Sequence, residues 1–302
     1  MSKTIDLSII IVNFNTPELL KNCLNSVYSS ILDKVRIEII VVDNSSSGNS
    51  VDRIKSTFPN LNLYKNKTNQ GFAKANNLAI CRSQGRYILL LNPDTIVSSD
   101  TFSEMVRFMD SDGQIGVSTC LVKLVSGEID DASHRGFPTL WNAFCYFSGL
   151  ARVFPNNTVL NGYHLGYRDL DKAHEIDSCV GAFMMIRREA GEKLNWLDED
   201  YFWYGEDLDF CYRVKMAGFK VMYNPKTQII HYKGAASGLK TSSKTLTTAT
   251  SGTKLMATRS RYEVMKIFYR KHYLHKYPSF ITSLVFLAIN IKKYLGLIKL
   301  KS

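Results

Sequence analysis

LSIIIVNFNTPELLKNCLNSVYSS at 7–30, followed by IEIIVV at 37–42, decides the fold class. Leu7–Val12 and Ile37–Val42 are near-continuous runs of aliphatic, mostly β-branched residues, as expected of parallel strands buried on both faces. Between them, Pro17–Ser30 carries apolar residues at 19, 20, 23, 24, 27 and 28, a helical spacing. Pro17 suits a first helical turn, with Thr16 placed as the cap. The alternation continues: a short strand over Leu61–Tyr64, a helix over Gly71–Cys81, a buried strand over Tyr87–Leu91, a helix over Thr101–Met109 and a strand over Ile115–Val125. Such a succession predicts an α/β protein with a Rossmann-like, mostly parallel central sheet flanked by helices. Ligands of such sheets sit at the carboxyl ends of the strands. Asn13, Asp43 and Asp94 all follow strand runs, so they are expected to converge on one crevice.

Beyond residue 126 the pattern weakens. Gly127–His174 is irregular and aromatic-rich. Cys179–Arg187 reads as a strand and Gly205–Ala217 as a helix stopped by Gly218. Lys220–His231 reads as another strand pair or a bend around Asn224-Pro225. Ser237–Thr253, rich in Ser, Thr, Gly and Lys, reads as a mobile loop, either a lid or a plain linker. No internal repeat is visible. The expected division is a catalytic-type domain over 1–236 (halves of about 1–125 and 126–236), a flexible loop over 237–258, and a basic amphipathic helical extension over 259–302.

The 302 residues are 45% hydrophobic, ample for a core, and carry a formal net charge of +11. That charge is uneven. From Lys215 onward there are 17 Lys and Arg against one acid, Glu263, whereas the preceding part carries a net negative charge. A basic tail implies an anionic partner surface. Phe280–Ile291 is an apolar run of 12 residues, too short to span a bilayer core, which needs about 20. Flanked by Arg270, Lys271, Lys276, Lys292 and Lys293, it predicts a helix lying in the interface of the inner membrane, rather than a nucleic-acid surface. A helix packed on the protein itself, or on a second copy in a homodimer, is the plainer alternative. The first apolar run is too short for a secretory leader. The six scattered cysteines form no CxxC pair, so reduced, mostly buried thiols in a cytosolic protein are expected, with no zinc site.

Several segments carry candidate chemistry. In VVDNSSSG (41–48), Asp43 at a strand end can accept a hydrogen bond from the imide N–H of uracil or thymine, although Asp-Asn-Ser-Ser is equally ordinary turn chemistry. In NKTNQGFAKANN (66–77), Asn69 and Gly71 lead into a helix whose N-terminus favours phosphate, and Lys74 adds charge; a helix cap reads the same locally. In LNPDT (91–95), Asp94 is placed to hold Mg²⁺ or Mn²⁺ against a diphosphate, with His231 as a further candidate ligand. GEDLDFCYR (205–213) groups Glu206, Asp207 and Asp209 at a helix start, with Asp209 and Arg213 spaced for an ion pair. Tyr201, Phe202, Trp203 and Tyr204 precede it, either a wall for a sugar ring or core. HYKGAASG (231–238) offers His231 and Lys233.

Together, SIIIVNFNT (8–16), VVDNSS (41–46), NQGFAKANN (69–77), LLLNPDT (89–95), GAFMMIRR (181–188), YGEDLDFCYR (204–213) and HYKGAASG (231–238) resemble the inverting family 2 glycosyltransferases of the GT-A fold. The nearest likeness is the bacterial rhamnosyltransferase-like subgroup that builds cell-surface polysaccharides, to which FYRKHY (268–273) is also similar. The resemblance spans roughly residues 7–240. It implies that Asn13, Asn15, Asp43, Asn69, Gly71, Lys74 and Asn92 face the nucleotide-sugar, a dTDP- or UDP-sugar, and that Asp94 and His231 hold the metal. It further implies that Gly181, Ala182, Trp203 and Tyr204 lie near the acceptor, that Asp207 is the general base, and that Glu206 orients nearby groups. Asn92 stands where the family's metal motif usually has its first aspartate. The implied reaction is a single displacement with inversion, from dTDP-rhamnose to a lipid-linked saccharide, with a UDP-hexose donor as the alternative.

Three other readings are weaker. A processive polysaccharide synthase would carry membrane-spanning helices and a Gln-x-x-Arg-Trp motif, and no Trp here follows an Arg. A nucleotidyltransferase would need a Gly-rich, Lys/Arg-bearing loop after the first strand. A non-catalytic scaffold bound to membrane through its basic tail would explain the charge but not the ordered motifs.

Overall fold

Every residue of Leu7–Asn13 is buried, and this strand, β1, is the axis of the sheet. In the computed structural model, which describes residues 4–47, 50–234, 237–239 and 249–300, β1 pairs in parallel with β2 (Ile37–Asp43) and β4 (Tyr87–Leu91), and β2 with β3 (Asn62–Lys65). Successive residues serve opposite faces. Ile9, Ile11, Leu89 and Leu91 enter one core, while Ile10, Val12, Ile88 and Leu90 enter the other. That two-sided burial is why these strands read as near-continuous apolar runs. Helix α1 (Pro17–Tyr28) buries Leu19, Leu20, Cys23, Leu24 and Val27 along one face.

The second half of the sheet is mixed. β8 (Phe183–Arg187) enters antiparallel between β4 and β6 (Ile115–Leu124). β9 (Lys220–His231) then runs parallel to β6, and β5 (Thr95–Val97) antiparallel to β9. β7 (His174–Glu175) also pairs with β9, and the main path runs β3-β2-β1-β4-β8-β6-β9-β5. The bend expected at Asn224-Pro225 is a bulge. Cys120 pairs with Asn224 and the next residue, Leu121, with Gln228, so β9 carries three extra residues there.

Some expectations are corrected. Thr16 precedes α1 without capping it; its hydroxyl donates instead to Asn13 Oδ1 at 2.9 Å. The strand expected over Cys179–Arg187 begins only at Phe183, because Val180–Ala182 turn towards other partners. Helix α2 (Ser50–Thr57) and β5 were not anticipated, being short; α2 has only Val51 and Ile54 to bury. α3 spans Phe72–Ile80 and α4 Thr101–Ser111, close to expectation. The irregular aromatic segment contains α5 (Leu140–Ser148) and α6 (Leu150–Val153). Gly48, residues 235 and 236, and residues 240–248 of the expected loop lie outside the described residues.

After α7 (Arg188–Lys193) and α8 (Glu206–Met216), the C-terminal part is a pair of long helices, α9 (Ser251–His272) and α10 (Ser279–Ile298). Residues 251–258, read from composition as loop, are therefore helical; the Thr250 side chain caps them by accepting from Thr253 N–H. The 12-residue apolar run is part of a 20-residue helix, long and apolar enough by length and composition to cross a membrane. Lys292 and Lys293 interrupt the apolar run, but Leu295–Ile298 continues it on the same helix.

Much of the basic tail is used internally. Asp209, fully buried, accepts from Arg213 Nε at 2.7 Å, from Tyr201 OH at 3.3 Å and from His272 Nε2 at 2.7 Å. Burial raises its pKa, but His272 and Arg213 outweigh that and hold it below the ordinary carboxylate value. Lys271 pairs with Asp198 and Asp200, and Lys293 with Glu263. Tyr201, Tyr212, Phe268, Tyr269 and Tyr273 form a third core between α8 and α9. FYRKHY is thus a docking segment as much as a charged one. Because removing one partner strands buried charges, Asp209→Ala is expected to lower unfolding free energy by about 3–5 kcal/mol. Urea titration measures this, and an unchanged midpoint would count against Asp209 as the anchor of α9.

Candidate active site

The carboxyl ends of β1 and β2 are tied by side chains. Asn13 and Asp43 are register partners, and Asn13 Nδ2 donates to Asp43 Oδ1 and to Ser46 Oγ, both at 3.0 Å. Asn15, at φ 56°, donates its N–H to Ser46 Oγ, and its Oδ1 accepts from Ser47 N–H. Asn44 makes all four amide hydrogen bonds: Nδ2 to Asn69 Oδ1 and the Gly71 carbonyl, Oδ1 from Asn66 Nδ2 and Gln70 N–H. Asn44 and Ser46 therefore knit the loops after β1, β2 and β3, a role the sequence hid inside ordinary turn residues.

At the start of α3 one backbone donor is already engaged: Phe72 N–H donates to the Phe202 carbonyl at 2.9 Å. Gly71 has φ +82°, and a Cβ there would lie 2.7 Å from that same carbonyl. The glycine is required by the close approach of the 201–204 loop. Asn69 Oδ1 is likewise taken up, by Asn44 and Gly71 N–H. Lys74 is exposed on the first turn of α3.

Beyond β4, Asn92 is half-buried, its N–H donating to the Ala182 carbonyl. Asp94 and His231 are both nearly buried, with His231 Nε2 3.4 Å from Asp94 Oδ1. The other ring nitrogen, Nδ1, lies 3.2 Å from Asp130 Oδ2, and Lys233 also pairs with Asp130. Burial alone would depress the His231 pKa, but the two carboxylates raise it to about 9. Two carboxylates thus flank one imidazole, and Lys233 offsets the charge of Asp130. The oxygen and nitrogen donors suit Mn²⁺ or Mg²⁺, with Asp130 setting the ring as an outer partner. Among the described residues no cluster of three His, Cys, Asp or Glu side chains is disposed to hold a metal. The remaining ligands would have to be diphosphate oxygens and water.

Asp207 sits on the first turn of α8. Its Oδ2 accepts from Gly181 N–H at 3.1 Å, and its Oδ1 lies 3.4 Å from Arg135 Nη2. Adjacent Glu206 is buried, with Oε2 lacking any hydrogen-bond partner. Burial, reinforced by the Asp207 charge, pushes its pKa up to about 8. Of the aromatic wall, Tyr201 is core, whereas Phe202 is exposed and Trp203 and Tyr204 are half-buried. Trp203 packs edge-on to Phe14 with centroids 6.2 Å apart, closing the gap between the two halves. Arg135 and Asp130 were missed, since both lie in the irregular segment where no periodicity marks a residue as inward-facing.

The chain is built like a GT-A enzyme. The solved mannosyltransferase PcManGT from Pyrobaculum calidifontis, in complex with GDP-Man and Mn²⁺, superposes with a TM-score of 0.58 at 17% identity over 89% of this chain and 65% of that one. The model of Glycosyl transferase family 2 matches residues 8–194, and the protein belongs to that family. It is similar to the rhamnosyltransferase WbbL of Escherichia coli (strain K12), 29% identical over 74% of this chain and 82% of the relative. It is also similar to the N-acetylglucosaminyl-diphospho-decaprenol L-rhamnosyltransferase of Mycobacterium tuberculosis (strain ATCC 25618 / H37Rv), 21% identical over 67% and 68%.

Glu206 yields a stability prediction. From its ordinary value of 4.5 up to about 8, the folded state keeps a proton that the unfolded chain releases. This term therefore erodes stability as pH rises through that window. Glu206→Gln removes it, so the variant should gain Tm over wild type by a margin that widens from pH 5 to pH 8. A margin constant with pH would contradict the neutral buried acid.

Proposed function

We propose that this glycosyltransferase moves a sugar, with rhamnose from dTDP-rhamnose the best-supported donor, onto a hydroxyl of a lipid-linked saccharide with inversion of the anomeric centre. The carrying observation is one backbone turn, 181–182, which hydrogen-bonds Asn92 of the Asn-Pro-Asp segment on one side and Asp207 on the other. Rhamnosyltransferase relatives, one of them named for a decaprenol-diphosphate-linked acceptor, support the sugar and the acceptor class. A UDP-hexose donor uses the same geometry, because Asp43 offers one acceptor to either pyrimidine. The basic C-terminal helices favour a position on the cytoplasmic face of the membrane.

In this reading Asp207 takes the proton from the acceptor hydroxyl as that oxygen attacks the anomeric carbon. Arg135 and Gly181 N–H hold the carboxylate in place. The nucleoside diphosphate departs on the opposite side, with Asp43 and Asn13 gripping the base end. Asp94 and His231 would hold a divalent cation, which supplies Lewis-acid stabilisation of the leaving diphosphate. Trp203 and Tyr204 would close over the sugar.

Asp207→Asn should lower kcat by about 10²–10⁴-fold, the usual scale of general-base catalysis, while leaving nucleotide affinity intact. Full transfer activity in that variant would overturn the base assignment. Calorimetry with dTDP, UDP and GDP should give metal-dependent binding of dTDP or UDP, lost with chelator and weakened about tenfold or more in His231→Ala. Equal binding with and without metal would remove Asp94 and His231 from the donor site.

A further inference from the structure

Two apolar surfaces from distant parts of the chain meet on this protein. On α10, Phe280, Leu284, Leu287, Ile291 and Tyr294 recur every three or four residues and are each at least 50% exposed. The opposite face of α10 is the one packed on α9: Thr282 bonds Tyr269, Phe286 packs on the Tyr269 ring, Lys293 pairs with Glu263, and Gly296 lies against Tyr262. On α5 and α6, Trp141, Phe144, Phe147, Val153 and Phe154 are 47–68% exposed. The Lys292 ammonium lies 3.7 Å from the Phe147 ring centroid, so the two surfaces adjoin. Single exposed apolar residues are ordinary, but a contiguous patch of this kind marks a contact surface.

The charges around it choose the occupant. Residues 132–168 contain no Asp or Glu but include Arg135, Arg152 and Arg168; residues 264–302 contain no acid and eight Lys or Arg. A second copy would bring like charges together, and protein interfaces are depleted in lysine at their cores. Anionic headgroups over apolar chains satisfy both halves of the surface, with Trp and Tyr suited to the boundary.

We propose that α5–α6 and the outward face of α10 form one surface that lies in the headgroup layer of an anionic phospholipid bilayer. The chain then touches lipid at two elements, not through its C-terminal helices alone. This deepens the membrane reading given above and rests on it. It also links lipid to chemistry: Arg135, beside Asp207, is five residues before Leu140 at the start of α5, and Phe137 and Leu140 pack on the Tyr212–Phe268 core. A lipid-borne acceptor would be met where that segment reaches the base.

The test is flotation of the full chain with phosphatidylglycerol/phosphatidylethanolamine vesicles and with phosphatidylcholine vesicles, beside size-exclusion chromatography. Wild type should float with the anionic vesicles and much less with the zwitterionic ones. Both Trp141→Ser/Phe144→Ser/Phe147→Ser and Leu284→Gln/Leu287→Gln/Ile291→Gln should weaken anionic-vesicle binding about tenfold or more, given the apolar area each removes. Should the first variant misfold, Trp141→Phe keeps the bulk, and it should remove a fluorescence component that brominated lipid quenches in wild type. If only the α10 variant loses binding, or bromolipid quenching is unchanged in Trp141→Phe, the α5–α6 contact is overturned while the C-terminal membrane reading stands. If wild type floats with neither vesicle, or floats equally with both, the anionic-bilayer proposal falls. A dimer that either variant dissociates, without vesicle binding, would assign the surface to a second copy and overturn it.

Discussion

The turn at 181–182 is the constraint on which the site depends. Its Ala182 carbonyl accepts Asn92 N–H, and its Gly181 N–H donates to Asp207. The two segments come from opposite halves of the chain, one following a parallel strand and the other opening a helix. Because β8 runs antiparallel between β4 and β6, its starting end abuts the finishing end of β4. A parallel strand there would put the turn at the far edge of the sheet and leave Asp207 without its backbone donor. The break in the expected 179–187 strand is therefore what lets one turn bond both the segment after β4 and the first turn of α8.

Charge organises the rest. Asp94, Asp130 and His231 form a buried chain in which the imidazolium is favoured, while Glu206 and Asp207 adjoin and Glu206 Oε2 has no hydrogen-bond partner. Burial penalises both arrangements, and the structure answers differently in each. At His231 the answer is a proton; at Glu206 it is neutrality. The same economy appears at Asp209, where α8 and α9 share one carboxylate among Arg213, Tyr201 and His272.

The amphipathic character of the C-terminal helices follows from this anchoring. Ion pairs and rings fix one side of α9 to the body, α10 packs along α9, and the remaining face of α10 has only solvent to meet. The α5–α6 segment joins that face through Phe147 and Lys292. One acid-poor, aromatic surface is thus assembled from parts separated by more than a hundred residues.

Much was legible in the residues alone. Leu7–Val12, Ile37–Val42 and Tyr87–Leu91 read as strands, because near-continuous aliphatic runs, broken only by Ser8 and Glu38, need burial on both faces. The positions of Asn13, Asp43 and Asp94 at the ends of those strands followed from topology. What no local pattern contained was long-range. Arg135 and Asp130 reach the site from an aperiodic segment, Gly71 makes room for the Phe202 backbone, and Asn44 looks like any turn asparagine until its four partners are in place. Sequence by itself determined the longer strands and helices of the α/β core, and the family they compose, since periodicity and ordered motifs are local properties. Only the tertiary structure decided which donors meet which carboxylates, because hydrogen bonds and ion pairs between residues scores of positions apart exist only once the sheet has set the register.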